Sequence, residues 1–221
     1  QGLTIALEHI PDLVLTDVMM PEMDGFELSR KLKSDGRTSH IPIILLTARA
    51  GIESKIEGLE TGADDFLTKP FDQEELQVRI KNLIQQRRKL KERYLRAAGA
   101  SLYKLTETPT AELLTMDEQF LRRVKHVVEN RLSDSEFSVD ELASEVHLSR
   151  VQLHRKLKAL IDMPASDYIR TLRLNRAAEL IAHKTANIAE IAYDVGFTNP
   201  GHFSEAFKKQ FGILPSEYGK S

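Results

Sequence analysis

The sequence predicts two domains in one chain, a doubly wound α/β domain followed by an all-α domain. Over residues 1–70, short apolar runs alternate with segments of helical spacing, which is typical of a parallel sheet covered by helices on both faces. From residue 117 onward, every segment has helical spacing or is a short turn. Residues 99–114, which include Thr-Glu-Thr-Pro-Thr, have the composition of a linker between the two.

The composition is that of a globular protein, and it excludes several kinds of site. Hydrophobic residues make up 41% and charged residues 29% of the 221 residues, which argues against disorder. The absence of cysteine excludes disulfides and thiolate metal sites and favours a reducing compartment. No apolar run approaches the roughly 20 residues of a membrane span, so we expect a cytoplasmic protein. Because the first residue is Gln1, we expect the natural chain to start earlier.

The net charge of −2 hides local excesses of basic residues. Residues 149–176 contain seven lysines and arginines but only two acidic residues. The phosphate backbone of a nucleic acid responds to the local field of a protein, so this segment predicts a basic, nucleic-acid-binding surface.

In the α/β domain, strands are predicted at 13–17, 41–47 and 65–69, with helices at 25–33, 53–61 and 72–98. Asp17, Thr47 and Lys69 each end one of these strands. Because the carboxyl ends of parallel strands meet at one edge of a sheet, we expect a carboxylate, a hydroxyl and an ammonium group to converge there. Such a set suits phosphoryl chemistry, in which the carboxylate attacks phosphorus and the other groups bind its oxygens. The alternative for any one of the three is an ordinary polar strand end.

Three motifs in this region resemble the receiver domain of two-component response regulators, which has a flavodoxin-like fold. They are Asp-Val-Met-Met-Pro-Glu-Met-Asp-Gly, Ile-Pro-Ile-Ile-Leu-Leu-Thr-Ala and Gly-Ala-Asp-Asp-Phe-Leu-Thr-Lys-Pro-Phe. The resemblance covers residues 1–85. It implies that Asp17 is the phosphoacceptor, Thr47 the switch hydroxyl, Phe66 the switch aromatic residue and Lys69 the phosphate-binding lysine. It also implies that Asp17 and the backbone carbonyl of Met19 bind magnesium.

The chain departs from this family at its start. Receivers of this family open with a strand, a helix and a second strand, and the first strand ends in an acidic pair that holds magnesium. This sequence begins after those elements, at the helix that precedes the strand of Asp17. We therefore expect a doubly wound receiver lacking its first two strands, in which magnesium binding is weak or absent. Because the metal ion neutralises the charge of the transferred group, we expect Asp17 of the 221-residue chain to be phosphorylated poorly or not at all.

The all-α domain repeats the outline of a helix-turn-helix unit, at 138–160 and at 187–211. Ser138 and Glu141 form a predicted capping box before the first short helix, and Ser149 is predicted to cap the second. Positions between 139 and 149 match positions 188–198 at an offset of 49 residues. Apolar, small and polar positions must all agree to produce such a repeat, so it is a strong signal. A long helix predicted at 165–182 would separate the two units rigidly.

Two such units can place two recognition helices in successive major grooves of DNA, about 34 Å apart. The side chains expected to face DNA lie on the outward faces of helices 150–160 and 200–211. In the first helix they are Arg150, Val151, Gln152, His154, Arg155 and Lys158. At the second helix they are Asn199, Gly201, His202, Ser204, Glu205 and Lys208. The alternative for each charged residue among them is an ordinary solvated surface.

The expected roles of these residues differ. The expected base readers are Gln152, His154, Arg155 and Glu205. The expected phosphate contacts are Asn199, Ser204 and Lys208. Phenylalanines at 203, 207 and 211 have helical spacing, which predicts that they belong to the core and not to a base-stacking platform.

A second set of motifs is similar to the DNA-binding domain of the AraC/XylS family. It comprises Ile-Ala-Tyr-Asp-Val-Gly-Phe, His-Phe-Ser, Phe-Lys-Lys, Phe-Gly and Pro-Ser-Glu-Tyr. The resemblance covers residues 117–219, with minor departures at Leu214 and Gly219. Together the two resemblances imply a partial receiver at 1–85, a basic helical extension and linker at 86–116, and an AraC-type domain at 117–221. The arrangement resembles the carboxyl-terminal end of hybrid two-component sensors, although a separate regulator would look the same here.

The implied function is sequence-specific DNA binding in transcription regulation, controlled by phosphorylation of Asp17. The expected partners are double-stranded DNA and a histidine kinase in cis or in trans, with RNA polymerase and a second copy of the chain as further candidates. No membrane contact is expected, and magnesium is the cofactor of the complete receiver. An aspartate-nucleophile phosphatase is the enzyme alternative, but no second acid is expected near Asp17, so no enzyme is predicted. In a third hypothesis, the chain binds DNA constitutively and the receiver is only a dimerisation scaffold.

Overall fold

A computed structural model describes residues 1–48, 61–99 and 115–219. The chain divides into two compact units, one formed by Gln1–Glu118 with Arg155–Asp162 and the other by Gln119–His154 with Met163–Ser221. The predicted helix at 53–61, apart from Thr61, and the predicted linker at 99–114, apart from Gly99, lie outside the described residues.

The first part of the chain has the predicted alternation of strands and helices. Its elements are α1 (Gly2–His9), β1 (Val14–Asp17), α2 (Gly25–Ser34), β2 (Ile43–Thr47), β3 (Asp65–Thr68) and α3 (Gln73–Gly99). The three strands form a parallel sheet in the order β1-β2-β3. The predicted parallel sheet is therefore confirmed, with each strand beginning one or two residues later than expected or ending one residue earlier.

Helices cover both faces of this sheet. Successive residues of a strand point to opposite faces, and the neighbours Ile43 and Ile44 of β2 lie in different apolar clusters. Ile43 packs with Leu28 and Leu32 of α2, whereas Ile44 packs with Leu67 of β3 and Leu83 of α3. The doubly wound arrangement follows from this division. Helix α3 runs without interruption through residue 85, where the receiver resemblance ends.

After residue 115 the described chain is helical. The elements are α4 (Met116–Asn130), α5 (Val139–Glu145), α6 (Arg150–Ile161), α7 (Ala165–Ala182), α8 (Ile188–Asp194), α9 (Pro200–Phe211) and α10 (Pro215–Tyr218). Both α5 and α8 contain seven residues, and both α6 and α9 contain twelve. None of the described helices is both long and apolar enough to cross a membrane.

The pairs α5–α6 and α8–α9 are built by the same local interactions. A capping box opens each pair, formed by Ser138 with Glu141 in α5 and by Asn187 with Glu190 in α8. The turns also match, because the Leu148 amide donates to Ala143 and the amide of residue 197 donates to residue 192, both at 2.9 Å. The repeat at an offset of 49 residues in the sequence therefore corresponds to a repeat of hydrogen-bonded structure.

The second pair packs against α7 through an aromatic core. Phe203 and Phe207 of α9 are fully buried, and their ring centroids lie 5.6 Å apart. They share a cluster with apolar residues of α7 and α8, among them Leu174, Ile181 and Ile191. Phe211 is only partly buried at the edge of this cluster. The predicted core role of the three phenylalanines is thus confirmed for two of them and partial for the third.

Candidate functional site

The carboxyl ends of the three strands bring the predicted acid, hydroxyl and ammonium groups to one edge of the sheet. Asp17 ends β1, Thr47 ends β2, and Lys69 follows the last residue of β3. The Lys69 amide donates to the Thr47 carbonyl at 2.7 Å, which continues the ladder between β2 and β3. The peptide bond from Lys69 to Pro70 is cis. The sequence order of strand ends was therefore sufficient to predict this grouping.

Asp17 and Lys69 are in direct contact. The Lys69 Nζ donates a short hydrogen bond to Asp17 Oδ2 and forms an ion pair with it. The hydrogen bond from Lys69 lowers the pKa of the Asp17 carboxyl, and the Met19 amide, which donates to Oδ1 at 3.1 Å, lowers it further. The Asp17 side chain remains 32% exposed. It is therefore an ionised and accessible carboxylate, as a nucleophile must be.

The two residues assigned to a switch lie on the neighbouring strands. Thr47 is buried, with 3% of its surface exposed. Phe66 is half-buried and lies opposite Leu45 in the register of β2 and β3. Thr47 therefore lies in the interior of the domain, whereas Phe66 is partly accessible to solvent.

Gly25 is a residue of this site that the sequence reasoning missed. A β-carbon on Gly25 would overlap the backbone carbonyl oxygen of Asp17 and lie 3.0 Å from Leu45 Cδ2. The Gly25 amide donates to the carbonyl of Val18 at 3.0 Å, and Asp24 caps α2 by accepting from the Glu27 amide at 2.7 Å. The glycine thus lets α2 begin directly behind Asp17. The signal was present in the motif Met-Asp-Gly that follows β1.

The magnesium assignment rests on only two oxygen ligands. Asp17 supplies a carboxylate, and the carbonyl of Met19 would supply the other. Magnesium prefers six oxygens, commonly one or two carboxylates with water and phosphate. Among the described residues, no group of three acidic or histidine side chains could hold a metal ion. The two groups named here supply only part of the oxygen ligands that a magnesium ion prefers.

Replacing Lys69 with methionine should raise the pKa of Asp17 towards its ordinary value, because the hydrogen bond from Lys69 is the main cause of the lowered pKa. The carboxylate signal of Asp17 in an NMR pH titration measures this change. Since the folded-state pKa lies below that of the unfolded chain, the pair contributes stability above about pH 4 that is lost as pH falls through the folded-state pKa. The matched control is Lys81→Met on the exposed face of α3. An unchanged Asp17 titration in the Lys69 variant would contradict the assignment.

Four of the six predicted residues of α6 are exposed. They are Arg150, Val151, His154 and Lys158. Val151 is an apolar side chain that is 56% exposed, which suits contact with a thymine methyl group. Arg150 pairs with Asp140 at 3.0 Å and Lys158 with Asp162 at 2.8 Å. Exposed pairs of this kind are worth about 0–1 kcal/mol, so a phosphate can replace the carboxylates at little cost.

The other two predicted residues of α6 are half-buried and already make hydrogen bonds. The Gln152 Oε1 accepts from the Ser149 amide at 3.0 Å, and the Ser149 hydroxyl accepts from the Gln152 amide at 3.2 Å. This reciprocal cap leaves the side-chain amide nitrogen of Gln152 as its potential contact to a base. Arg155 donates to the backbone carbonyl of Glu8 at 2.6 Å, a contact within the first unit.

The predicted basic surface at 149–176 does not include Lys156. Its side chain is fully buried, although it is one of the seven basic residues that gave the segment its excess charge. Its Nζ donates to the Gly36 carbonyl and lies 3.1 Å from Asp117 Oδ1. Burial lowers the pKa of Lys156, and Asp117 opposes that shift. Lys156 is therefore a structural residue of the first unit, and the exposed basic charge is smaller than the sequence predicts.

In α9 the predicted residues divide between exposed side chains and residues that build the start of the helix. Gly201, His202, Glu205 and Lys208 are exposed. Asn199 caps the helix, because its Oδ1 accepts from the amides of Gly201 at 2.7 Å and His202 at 3.2 Å. The Ser204 hydroxyl donates to the Pro200 carbonyl at 2.9 Å. The exposed face of α9 thus offers His202, Glu205 and Lys208 to a ligand.

Two family models match the chain, one in each part. Residues 1–81 match the response regulator receiver domain, and residues 142–221 match a helix-turn-helix domain. The two matches together give the chain a receiver domain in its first part and a helix-turn-helix domain in its last part. The chain joins a response regulator receiver domain to a helix-turn-helix domain of the AraC type, so both predicted resemblances are confirmed.

Similar proteins include longer chains. Histidine kinase P4 of Formosa agariphila is 39% identical over 98% of this chain, which spans 15% of that protein. Response regulator PleD of Caulobacter vibrioides is 52% identical over 37% of the chain and 18% of its own length. Among solved structures, the C-terminal domain of AraT, a response regulator from Geobacillus stearothermophilus, is 30% identical over 46% of the chain and 84% of that domain, with a TM-score of 0.43. The chain thus spans less than a fifth of these two curated relatives.

Proposed function

We propose that the chain is a transcription regulator that binds specific DNA sequences under the control of phosphorylation at Asp17. The observation that carries this proposal is the contact between Asp17 and Lys69 at the strand ends of a receiver domain. The same chain continues into a helix-turn-helix domain, which gives the receiver an output.

The proposed chemistry at Asp17 is transfer of a phosphoryl group from a phosphohistidine of a kinase. A carboxylate oxygen of Asp17 forms a bond to phosphorus while the bond from phosphorus to the imidazole nitrogen breaks, and the imidazole leaves. Lys69 then exchanges its contact with the carboxylate for one with the phosphoryl oxygens, since catalysis here is mainly positioning and neutralisation of charge. Magnesium is the proposed cofactor of the receiver domain, and no step is assigned to it.

Phosphorylation would act as a switch between two states of the receiver. A phosphoryl group at Asp17 offers oxygens that can accept from the Thr47 hydroxyl, and the movement of Thr47 opens space for Phe66. A ligand shifts such an equilibrium only through its different affinity for the two states. The change would extend to the face that contains α3, and from there to dimerisation or to release of the DNA-binding domain.

The proposed DNA-binding residues lie on α6 and α9. Each pair of helices would act as a helix-turn-helix unit, with α6 and α9 as recognition helices in successive major grooves about 34 Å apart. Arg155, His154 and Gln152 remain the proposed base readers of the first helix pair, and Glu205 is the proposed base reader of the second helix pair. Lys208, Ser204 and Asn199 are proposed phosphate contacts, of which Asn199 acts chiefly by holding the start of α9.

The proposed partners follow from the two domains. They are double-stranded DNA and a histidine kinase, and the similarity to part of histidine kinase P4 supports a kinase in the same polypeptide. RNA polymerase and a second copy of the chain are further proposed partners. A regulator of this kind would work in the bacterial cytoplasm, where the chromosome lies. The proposed domain limits are 1–85, 86–116 and 117–221.

Beryllofluoride, which mimics a phosphoryl group, tests the proposed control. With magnesium, it should change the DNA affinity of the whole protein. An unchanged affinity would favour a constitutive DNA binder with the receiver as a scaffold. Catalytic turnover of phosphate esters by the chain would instead favour the phosphatase hypothesis.

Replacing Arg155 with alanine should weaken binding to the cognate DNA site by about 1–3 kcal/mol and weaken binding to random DNA less, since a base contact carries sequence information. Lys208→Ala is the matched control, because loss of a phosphate contact should weaken binding to both DNAs alike and flatten the salt dependence by about one ion. Affinities measured by fluorescence anisotropy over a range of salt concentrations separate the two. Equal losses on both DNAs for the Arg155 variant would make Arg155 a phosphate contact.

A further inference from the structure

The turn between α8 and α9 contains a glycine, Gly196, that lies close to the loop before α5 and to helix α7. Gly196 has a φ of +79° and is buried. A β-carbon at this position would overlap the backbone carbonyl oxygen of Leu132 and lie 2.9 Å from Arg173 Cζ. Leu132 lies between α4 and α5, ahead of the first helix pair, and Arg173 lies in α7. Three segments that are distant in the sequence therefore meet at Gly196.

Arg173 connects the same segments by a hydrogen bond. Its Nη2 donates to the carbonyl of Asp134, in the loop that leads into α5. Its Nε is buried and has no hydrogen-bond partner within the described residues. Buried groups without partners are rare and need a compensating reason. Here the guanidinium lies between the loop at 131–134 and the turn at Gly196.

The corresponding turn of the first helix pair shows that the turn itself does not require glycine. His147 stands at the position equivalent to Gly196, with a φ of +59° and an exposed side chain. The backbone bonds are also equivalent, since the amide of His147 donates to Ser144 at 3.0 Å and the amide of Gly196 to Tyr193 at 2.9 Å. The repeat therefore accepts a side chain where the surroundings are open. At Gly196 the neighbours Leu132 and Arg173 are what exclude one.

We propose that Gly196 and Arg173 are positioning residues that fix the second helix pair against the entrance of the first, and so set the spacing at which α6 and α9 meet DNA. The part of this inference that concerns DNA rests on the proposed function. The contact holds α8–α9 to the loop at 131–134 directly, in addition to the path through α7.

Distance measurements between spin labels test the positioning without DNA. The chain contains no cysteine, so Ser144→Cys in α5 and Lys209→Cys in α9, both exposed, give two unique label sites. We expect a narrow distance distribution in the parent chain, a shifted or broadened one in Gly196→Ala, and the parent distribution in His147→Ala. The two alanines occupy equivalent turns and differ only in what surrounds them.

Arg173→Met is a second variant, needed in case Gly196→Ala unfolds the helical part of the chain. It removes the donor to Asp134 without inserting any atoms. It should broaden the distance distribution, and Arg173→Lys, which keeps a donor and the charge, should restore part of it. Circular dichroism establishes that each variant is folded. Parent distributions in both folded Gly196→Ala and folded Arg173→Met would overturn the inference.

DNA sites with altered spacing complete the test. The parent chain should prefer two half-sites at one spacing over the same half-sites moved by a few base pairs, and the Gly196 and Arg173 variants should lose severalfold of that preference. General instability would lower the binding of all sites together and leave the preference unchanged. Absence of any spacing preference in the parent chain would count against the proposed function, whereas an intact preference in both variants would count against the positioning role.

Discussion

The Phe207→Ala variant is expected to lose about 3–5 kcal/mol of folding stability in the helical part of the chain, with loss of DNA binding at 25 °C or slightly above. Phe207 is fully buried. Its ring lies 5.6 Å from that of Phe203 and 5.4 Å from that of Tyr218. Alanine would leave a cavity where α7, α8 and α9 meet and would remove these ring contacts. Urea unfolding followed by circular dichroism measures the loss.

The same helix pair offers matched controls for Phe207. Phe211→Ala removes a ring that is only partly buried and should cost less. Tyr193→Ala removes a side chain that is 55% exposed and should stay within about 0.5 kcal/mol of the parent. A loss below about 1 kcal/mol for Phe207→Ala would mean that the aromatic cluster does not hold α9 in place.

Gly25→Ala is expected to destabilise the receiver domain by about 1–3 kcal/mol and to displace Asp17. A β-carbon at Gly25 would overlap the carbonyl oxygen of Asp17 and lie 3.0 Å from the Cα of Val18. Both neighbours are tightly constrained, since Asp17 is the last residue of β1 and the Val18 amide bonds to Leu46 at 2.8 Å. Either α2 or the end of β1 must move. The carboxylate signal of Asp17 should shift in the NMR spectrum, and the urea midpoint should fall.

Gly36→Ala is the control for Gly25, because nothing lies within 4 Å of a β-carbon at Gly36. This exposed position should accept alanine with little change in stability and none in the Asp17 signal. Equal effects of the two substitutions would show that loss of glycine in general, and not crowding behind Asp17, causes the change.

Local patterns in the sequence were sufficient to predict the elements and the grouping of Asp17, Thr47 and Lys69. Apolar runs with a polar last residue marked the strands, and parallel pairing placed their ends together. Capping residues such as Ser138 and Ser149 marked the helix starts. The internal repeat also predicted that two turns would be built alike.

Contacts between distant segments could not be predicted in this way. Lys156 counted as surface charge in the sequence, yet its ammonium group is buried beside Asp117, because burial depends on which segment packs above the helix. Gln152 was assigned to base contacts, but its side-chain carbonyl oxygen caps α6. This capping role could not be predicted from the presence of a glutamine in the helix. The crowding at Gly25 and Gly196 likewise results from the backbone of another segment that packs against them in the folded chain.

We propose that one chain presents two helix pairs to DNA, each with its own recognition helix. Selection of bound sequences from a random DNA pool, followed by footprinting of the selected site, tests this claim most directly. We expect two different short half-sites with their centres about one helical turn, roughly 34 Å, apart, and protection of both. Protection of a single groove segment, or recovery of sequences without any preference, would contradict it.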